Sequence, residues 1–389
     1  MTDYDFDIVI DRRHNGSIKW SEDDLIPMWV ADMDFPVAPA ILEAIQNRAK
    51  HPIFGYAEMD EGWADAYASF WQDEYGLEIE KENLRYSWGV VPIVSSAVRC
   101  FSKPGEEVLL MTPVYNVFFH SVENNGRKLV CSSFVYEGGA YHIDFADLEK
   151  KMASKDCRLL VLCNPQNPLG RLFSKEELQR IAHLAKLHDV IVLSDEIHGP
   201  ISEPGHPYIP YLSVGLEAEE TGLSAFSPTK AFNLAGIQTA AVYSKRKDLA
   251  DEIAKQLNID ECNEPNAFST IAAVKAFKES RDWLEGLNKT IARNREICRI
   301  FFKKNCPKFQ MAPQEATYLL WVDISKLTEE DEGFAEFLKE QAKVWVYPGS
   351  HYGEGGKGFL RINIACPLPT LQEGLARIKK GYELFEKGK

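Results

Sequence analysis

The sequence predicts an α/β protein: a larger domain built on a mostly parallel sheet flanked by helices, joined to a smaller α+β domain. Three observations carry this reading. Glu107–Met111 (EVLLM), Arg158–Cys163 (RLLVLC) and Val190–Ser194 (VIVLS) are short, nearly continuous apolar runs, the pattern of strands covered on both faces. Between the last two lies SKEELQRIAHLAKLHD, in which Ser174 and Glu177 form a capping box and Leu178, Ile181, Ala182 and Ala185 follow at helical spacing. Strand, helix, strand is a parallel crossover. The last third changes character, with a long helical pattern over residues 268–304 followed by strand-like TYLLWVDI and FLRINIA.

In chain order, the N-terminal segment carries Pro27, Pro36 and Pro39 and little core of its own. It is expected to pack on the smaller domain or on a partner subunit. SWGVVPIVSSAVRCF (Ser87–Phe101) predicts a helix opened by Gly89. LSAFS and TAAVY predict two further strands around Lys230. A final helix is expected from Thr370, with Glu373 completing a second capping box.

A chain of 389 residues favours two domains. Its net charge of −14 argues against a nucleic-acid partner, because phosphate binding needs a basic surface. No run approaches the ~18 apolar residues of a membrane span. The start MTDYDFDIVI has no basic n-region before an apolar core. The eight cysteines show no C-x-x-C pairing, so neither a zinc site nor a disulfide framework is signalled. A reduced cytoplasm is the expected compartment.

The candidate chemistry lies at strand ends. SAFSPTKAFNLAGIQTA surrounds Lys230 with Phe226, Pro228, Phe232 and Leu234. A surface lysine is the ordinary reading; a pocketed amine activated by partial burial is the functional one. CNPQNPLG (Cys163–Gly170) ends one strand in a rigid Asn-Pro turn, where α/β sheets build ligand sites. LSDEIHG puts Asp195, Glu196 and His198 at the end of the next. That D-E-x-H run lacks the two-histidine helical spacing of zinc motifs, so metal ranks low. Arg361, between Phe359, Leu360 and Ile362, needs a partner: a structural ion pair or a substrate carboxylate. GEGGKG (Gly353–Gly358) fits G-x-G-x-x-G formally, but a strand follows it, so it reads as a flexible glycine loop.

Taken together and in order, the helix after Gly89, N-P-x-N-P-x-G at Asn164–Gly170, D-E-x-H at Asp195–His198, S-x-x-K at Ser227–Lys230 and R-I-N-I-A at Arg361–Ala365 resemble the fold-type I pyridoxal-phosphate enzymes of the aminotransferase superfamily. MWVADMDFP (Met28–Pro36), GYAEMDEGW (Gly55–Trp63) and SPTKAFNLAGIQ resemble its MalY/PatB branch of cystathionine and cysteine-S-conjugate β-lyases. The resemblance implies a seven-stranded larger sheet, a large cofactor domain over 46–284 and a small domain from 1–45 and 285–389. It implies a homodimer with shared active sites, and pyridoxal 5'-phosphate as cofactor. Lys230 would bind the cofactor aldehyde covalently and act as general base. Asp195 would pair with the ring nitrogen, Asn167 and His198 with the phenolic oxygen, and Tyr115 with the ring face. The Val90 and Val91 amides and Ser227 would hold the phosphate. Tyr56 would reach the partner's site, and Arg361 would bind the substrate carboxylate. The usual G-x-R after the lysine reads Gly236-Ile237-Gln238 here, which leaves Gln238 without a role. The expected reaction is carbon–sulfur cleavage by α,β-elimination. Transamination with a 2-oxo acid is the alternative, and a non-catalytic regulator is a third.

Overall fold

A computed structural model describes residues 4–388. The apolar runs become strands of one seven-stranded sheet: β1 (Leu84–Ser87), β2 (Glu107–Thr112), β3 (Lys128–Ser133), β4 (Cys157–Cys163), β5 (Ile191–Asp195), β6 (Gly222–Phe226) and β7 (Ala240–Tyr243). Their spatial order is β1-β7-β6-β5-β4-β2-β3. The pairs from β6 through β3 are parallel, while β7 runs antiparallel to both β1 and β6.

Helices cover both faces, which is why the central strands β2, β4 and β5 are nearly continuous apolar runs rather than alternating. Helix Lys175–Leu187 joins β4 to β5. Its Ser174 hydroxyl accepts from the Glu177 amide at 3.2 Å, and the Glu177 carboxylate accepts from the Ser174 amide at 2.9 Å. Its Leu178, Ile181, Ala182 and Ala185 are buried. On the opposite face, Ile93, Val94 and Ala97 of helix Val90–Phe101 join a core with Leu159, Val161 and Leu193. Leu193 is fully buried, so its truncation to alanine should cost about 2–5 kcal/mol.

Register positions the chemistry. Cys163 lies opposite Asp195, and Asp195 opposite Ala225, so β4, β5 and β6 end together on one edge. The loops Asn164–Gly170 and Asp195–His198 and the Lys230 helix therefore emerge side by side.

The smaller unit holds a four-stranded antiparallel sheet whose central strands are Leu319–Asp323 and Phe359–Asn363. The N-terminal segment packs on it. Ile26–Pro27 pairs in parallel with Val344–Trp345, and the Asn363 amide donates to the Met28 carbonyl at 2.8 Å.

Two expectations are corrected here. The helical pattern over 268–304 is two helices, Ser269–Glu279 and Arg281–Asn305. Ser280 divides them at φ −129°, its hydroxyl bonded to the Lys275 carbonyl at 3.0 Å, a local bond that competes with the helical ladder. The final helix begins at Leu368 rather than Thr370. Proline is tolerated in a first turn, so Leu368 and Pro369 are already helical. Thr370 is then no cap, and Glu373 pairs with Arg377 at 2.7 Å instead.

Candidate active site

The strand ends open onto a cavity of about 340 Å³, within the range of small-ligand sites. Its wall includes Val90, Val91, Tyr115, Asn167, Asp195, His198 and Lys230, seven of the residues singled out in the sequence.

Lys230 rides on the one-turn helix Pro228–Ala231 that follows β6 directly. Its amine donates to the Ala31 carbonyl at 2.5 Å. Burial pushes that amine down to about 8, with the Arg361 charge acting in the same sense and Asp32 and Asp195 opposing. A neutral, nucleophilic amine is thus accessible near neutral pH.

Asp195 ends β5 and is buried. Its Oδ1 accepts from the Ile197 amide at 3.0 Å. Burial pushes the carboxyl up to about 7, against the lowering effects of that bond and of Lys230. A cationic group placed beside it would favour the carboxylate. Glu196 turns the other way. It accepts from Ser194 at 2.8 Å, Ser224 at 3.1 Å, Tyr208 at 3.2 Å and the Tyr211 amide at 2.8 Å. The D-E-x-H run therefore does not converge on one point. His198 returns to the cavity, where burial, aided by the Lys230 and Arg361 charges, pushes it down to about 3. The ring is neutral, and its Nδ1 has no hydrogen-bond partner among the described residues.

Arg361 is buried and reaches the wall through Asn167. It donates to Asn167 Oδ1 at 3.2 Å and to the Trp29 carbonyl at 2.9 Å. The rings of Tyr352 and Tyr347 lie 4.9 Å and 5.7 Å from its guanidinium carbon. No carboxylate is bonded to it among the described residues, and its buried Nε lacks a partner. Tyr115 stands edge-on to Phe118, its hydroxyl pushed up by burial. Val90 and Val91 open the helix after Gly89, and amides in a first turn have no intrahelical acceptor. They can hold an anion.

Three of the sequence-derived residues lie off this wall: Arg361, behind Asn167, and Ser227 and Tyr56. The Ser227 hydroxyl donates to the Thr239 carbonyl at 2.7 Å and accepts from the Thr229 amide at 3.1 Å, capping the Lys230 helix. Thr229 lines the cavity instead. Tyr56 is fully exposed at 103%. It lines a second groove with Phe54, Gly236, Ile237 and Phe268. The two hollows share a turn, because Ala235 and Gln238 line the cavity while Gly236 and Ile237 line the groove. Gln238 has a left-handed backbone, φ 58°, a conformation that non-glycine residues keep at some cost.

Sequence reasoning missed Thr229 and Ala31, and it left Gln238, which lines the cavity, without a role. Thr229 was findable from its place between Ser227 and Lys230. Ala31 lies within the MWVADMDFP stretch, but a backbone acceptor has no side-chain signature.

The donor set fits a phosphorylated pyridine aldehyde. Lys230 can offer an amine to the aldehyde, Asp195 a carboxylate to a protonated ring nitrogen, and the first-turn amides of Val90 and Val91 can hold an anion. The unpartnered His198 Nδ1 lines the same cavity.

Comparison with known proteins agrees with this fit. Residues 23–378 match the family described as aminotransferase class I and II. The chain is 37% identical to cystathionine beta-lyase PatB of Bacillus subtilis over 96% of this chain and 98% of that one. A PLP-bound putative aminotransferase from Clostridium difficile superposes with a TM-score of 0.95 at 34% identity, covering 98% of this chain and all of its own. A PLP-bound C-S lyase from Staphylococcus hominis superposes at 0.90 with 30% identity and 98% coverage of both.

Proposed function

The chain belongs to the aminotransferase class I and II family, and from that premise we propose that it is a pyridoxal-phosphate-dependent carbon–sulfur β-lyase. Its substrate is cystathionine or a related cysteine S-conjugate, and its products are pyruvate, ammonia and a thiol. The observation that carries the reading is the Lys230 amine, buried, brought down to about 8, and set in one cavity with Asp195.

When bound, the cofactor supplies an electron sink conjugated to the substrate Cα, which acidifies the Cα–H bond. Asp195 would hold the ring-nitrogen proton that this sink requires. Val90 and Val91 would hold the phosphate through their amides, with the Thr229 hydroxyl on the wall beside them. Ser227 could join them only by giving up its bond to Thr239. Asn167 and His198 would bond the phenolic oxygen, and Tyr115 would cover the ring. Arg361 binds the α-carboxylate through its fork, which orients the Cα–H bond toward Lys230. Lys230 takes the Cα proton as general base. A thiolate is a good leaving group from Cβ, so the electron pair left by the Cα proton can expel it, and water then releases pyruvate and ammonia.

The site is completed in a homodimer by Tyr56 of the second copy. Ile53 and Phe54 beside it are 67% and 57% exposed, and a contiguous apolar flank calls for a cover. The same reading divides the chain into a large domain over 46–284 and a small one from 1–45 and 285–389, and places it in the cytoplasm. All eight cysteines are unpaired, which suits a reducing compartment. Among the described residues no helix is long and apolar enough to cross a membrane.

The test is a panel of L-cystathionine, L-cysteine and S-alkyl cysteines assayed for pyruvate and free thiol. Release of both from at least one substrate is expected. Release from none would contradict the reading.

A further inference from the structure

The stretch Trp29–Met33 crosses the site as a strap, and every one of its carbonyls accepts a side-chain donor. Trp29 accepts from Arg361 at 2.9 Å, Val30 from Asn363 at 2.6 Å and Ala31 from Lys230 at 2.5 Å. Asp32 accepts from Lys19 at 2.8 Å and Asn363 at 2.7 Å, and Met33 from Arg12 at 2.8 Å and Asn233 at 3.2 Å. Side chains thus satisfy five consecutive carbonyls that no helix or sheet ladder pairs. The two residues proposed to handle substrate, Lys230 and Arg361, are registered on the same strap two residues apart.

Beyond the strap stands a charge cluster that the proposed chemistry does not use. Arg12 makes a two-pronged pair with Asp32, at 2.9 Å to Oδ1 and 2.8 Å to Oδ2, and also donates to Asp34 at 2.8 Å. Lys19, almost fully buried, donates to Asp34 at 2.8 Å, and the Trp20 indole donates to the same carboxylate at 2.8 Å. Burying so many charges is costly unless they are matched, and here they are matched around the residue adjacent to Ala31.

We infer that Asp32, held by the Arg12 fork, is a positioning residue for Lys230: it fixes the strap that parks the amine on the Ala31 carbonyl. The inference rests on the role proposed above for Lys230. The charged and titratable groups facing the amine are Asp32 from the strap, Asp195 and His198 from the end of β5, and Arg361 from the smaller sheet. Burial is the largest influence on the amine and Asp32 the next, acting to keep the proton on.

This account makes opposed predictions for the two members of one ion pair. Asp32→Asn removes an anion near the amine, so the amine should deprotonate at lower pH. Arg12→Gln removes the cation that offsets Asp32, so the amine should deprotonate at higher pH. Each shift should be roughly 0.5–1 pH unit. Arg12→Lys keeps the charge and should restore most of the wild-type value. A purely structural role would loosen the strap in both variants and move them the same way.

The measurement is competitive acetylation by acetic anhydride across pH on the full-length chain freed of cofactor. Lys230 is read by peptide mass spectrometry, and folding is checked by circular dichroism. Shifts of opposite sign support the inference. Shifts of one sign, or none, in folded protein overturn it. If Asp32→Asn fails to fold, Arg12→Gln decides, and deprotonation at unchanged or lower pH overturns the role. If Arg12→Gln fails to fold, Asp32→Asn decides, and deprotonation at unchanged or higher pH overturns it. Because no turnover is read, a protein that fails the lyase assay can still pass this test, and the reverse.

Discussion

The cavity at the ends of β4, β5 and β6 and the flank around Tyr56 stand on either side of the Ala235–Gln238 turn, and they are built in opposite ways. In the cavity, buried charges have assigned partners: Lys230 with Ala31, Asp195 with the Ile197 amide, Arg361 with Asn167 and Trp29. On the flank, Ile53, Phe54 and Tyr56 are held out of any core. One region has its charges partnered within the chain, and the other leaves apolar side chains exposed. On the proposed dimeric reading the site joins a preformed inner wall, which sets the protonation states, to an outer wall brought by association. The first kind of wall is specified by strand register, and the second would be specified by the exposed apolar flank.

The deepest break in this comparison is Lys230→Ala. Turnover should fall by about 1,000-fold or more, because nucleophile and base are lost together. The protein should remain folded, since the deletion also relieves a buried amine. Borohydride treatment followed by peptide mass spectrometry checks the attachment. A cofactor adduct on any other lysine in the variant would displace Lys230 from its role.

Asp195→Asn acts on the same wall with a smaller effect. It keeps the shape and removes the charge, so kcat should drop about 100-fold or more while cofactor still binds. A near-normal kcat, measured on protein with full cofactor content, removes Asp195 from the chemistry.

The outer wall is sharpened by mixing. Tyr56→Ala and Lys230→Ala proteins, each inactive, are combined after reversible dissociation. Random re-pairing makes half the dimers mixed, each with one intact site, so roughly a quarter of wild-type activity should return. No recovery in proven mixed dimers would put Tyr56 outside the partner's site.

The smallest effect compares Asp195 with its neighbour behind the wall. Burial pushes Glu196 up to about 7 from an ordinary 4.5. A carboxyl raised on folding adds stability below its unfolded value and loses it as pH climbs through the folded one. The thermal midpoint should therefore decline between about pH 4.5 and 7 on account of this group. Glu196→Gln should flatten that decline. An unchanged slope would mean that the four donors around Glu196 keep it ionised in the folded state throughout.

Much of the inner wall was legible in the sequence because strand ends were. The apolar runs ending at Cys163 and Ser194 place Asn167 and Asp195 within a few residues of an edge, and the S-x-x-K spacing places Lys230 one turn past the next. What escaped depended on contacts between distant segments. The Ser227 hydroxyl is taken by the Thr239 carbonyl from the neighbouring strand, and nothing in S-x-x-K announces that. Ala31 matters through a carbonyl, and its partner lies 199 residues away. The break at Ser280 was missed because serine is tolerated in helices, and the outcome turns on where its hydroxyl bonds. The early start at Leu368 was missed because Thr370 and Glu373 read as a cap at a position that is already helical.

The most direct test of the whole account counts turnovers. Purified protein is given L-cystathionine, or the best substrate from the panel, with and without an added 2-oxo acid, and pyruvate is followed past many equivalents of enzyme. Elimination consumes no acceptor, so steady pyruvate release at the same rate in both conditions is the predicted result. A single burst without acceptor, with steady turnover only once the 2-oxo acid is present, would contradict it and make the protein an aminotransferase.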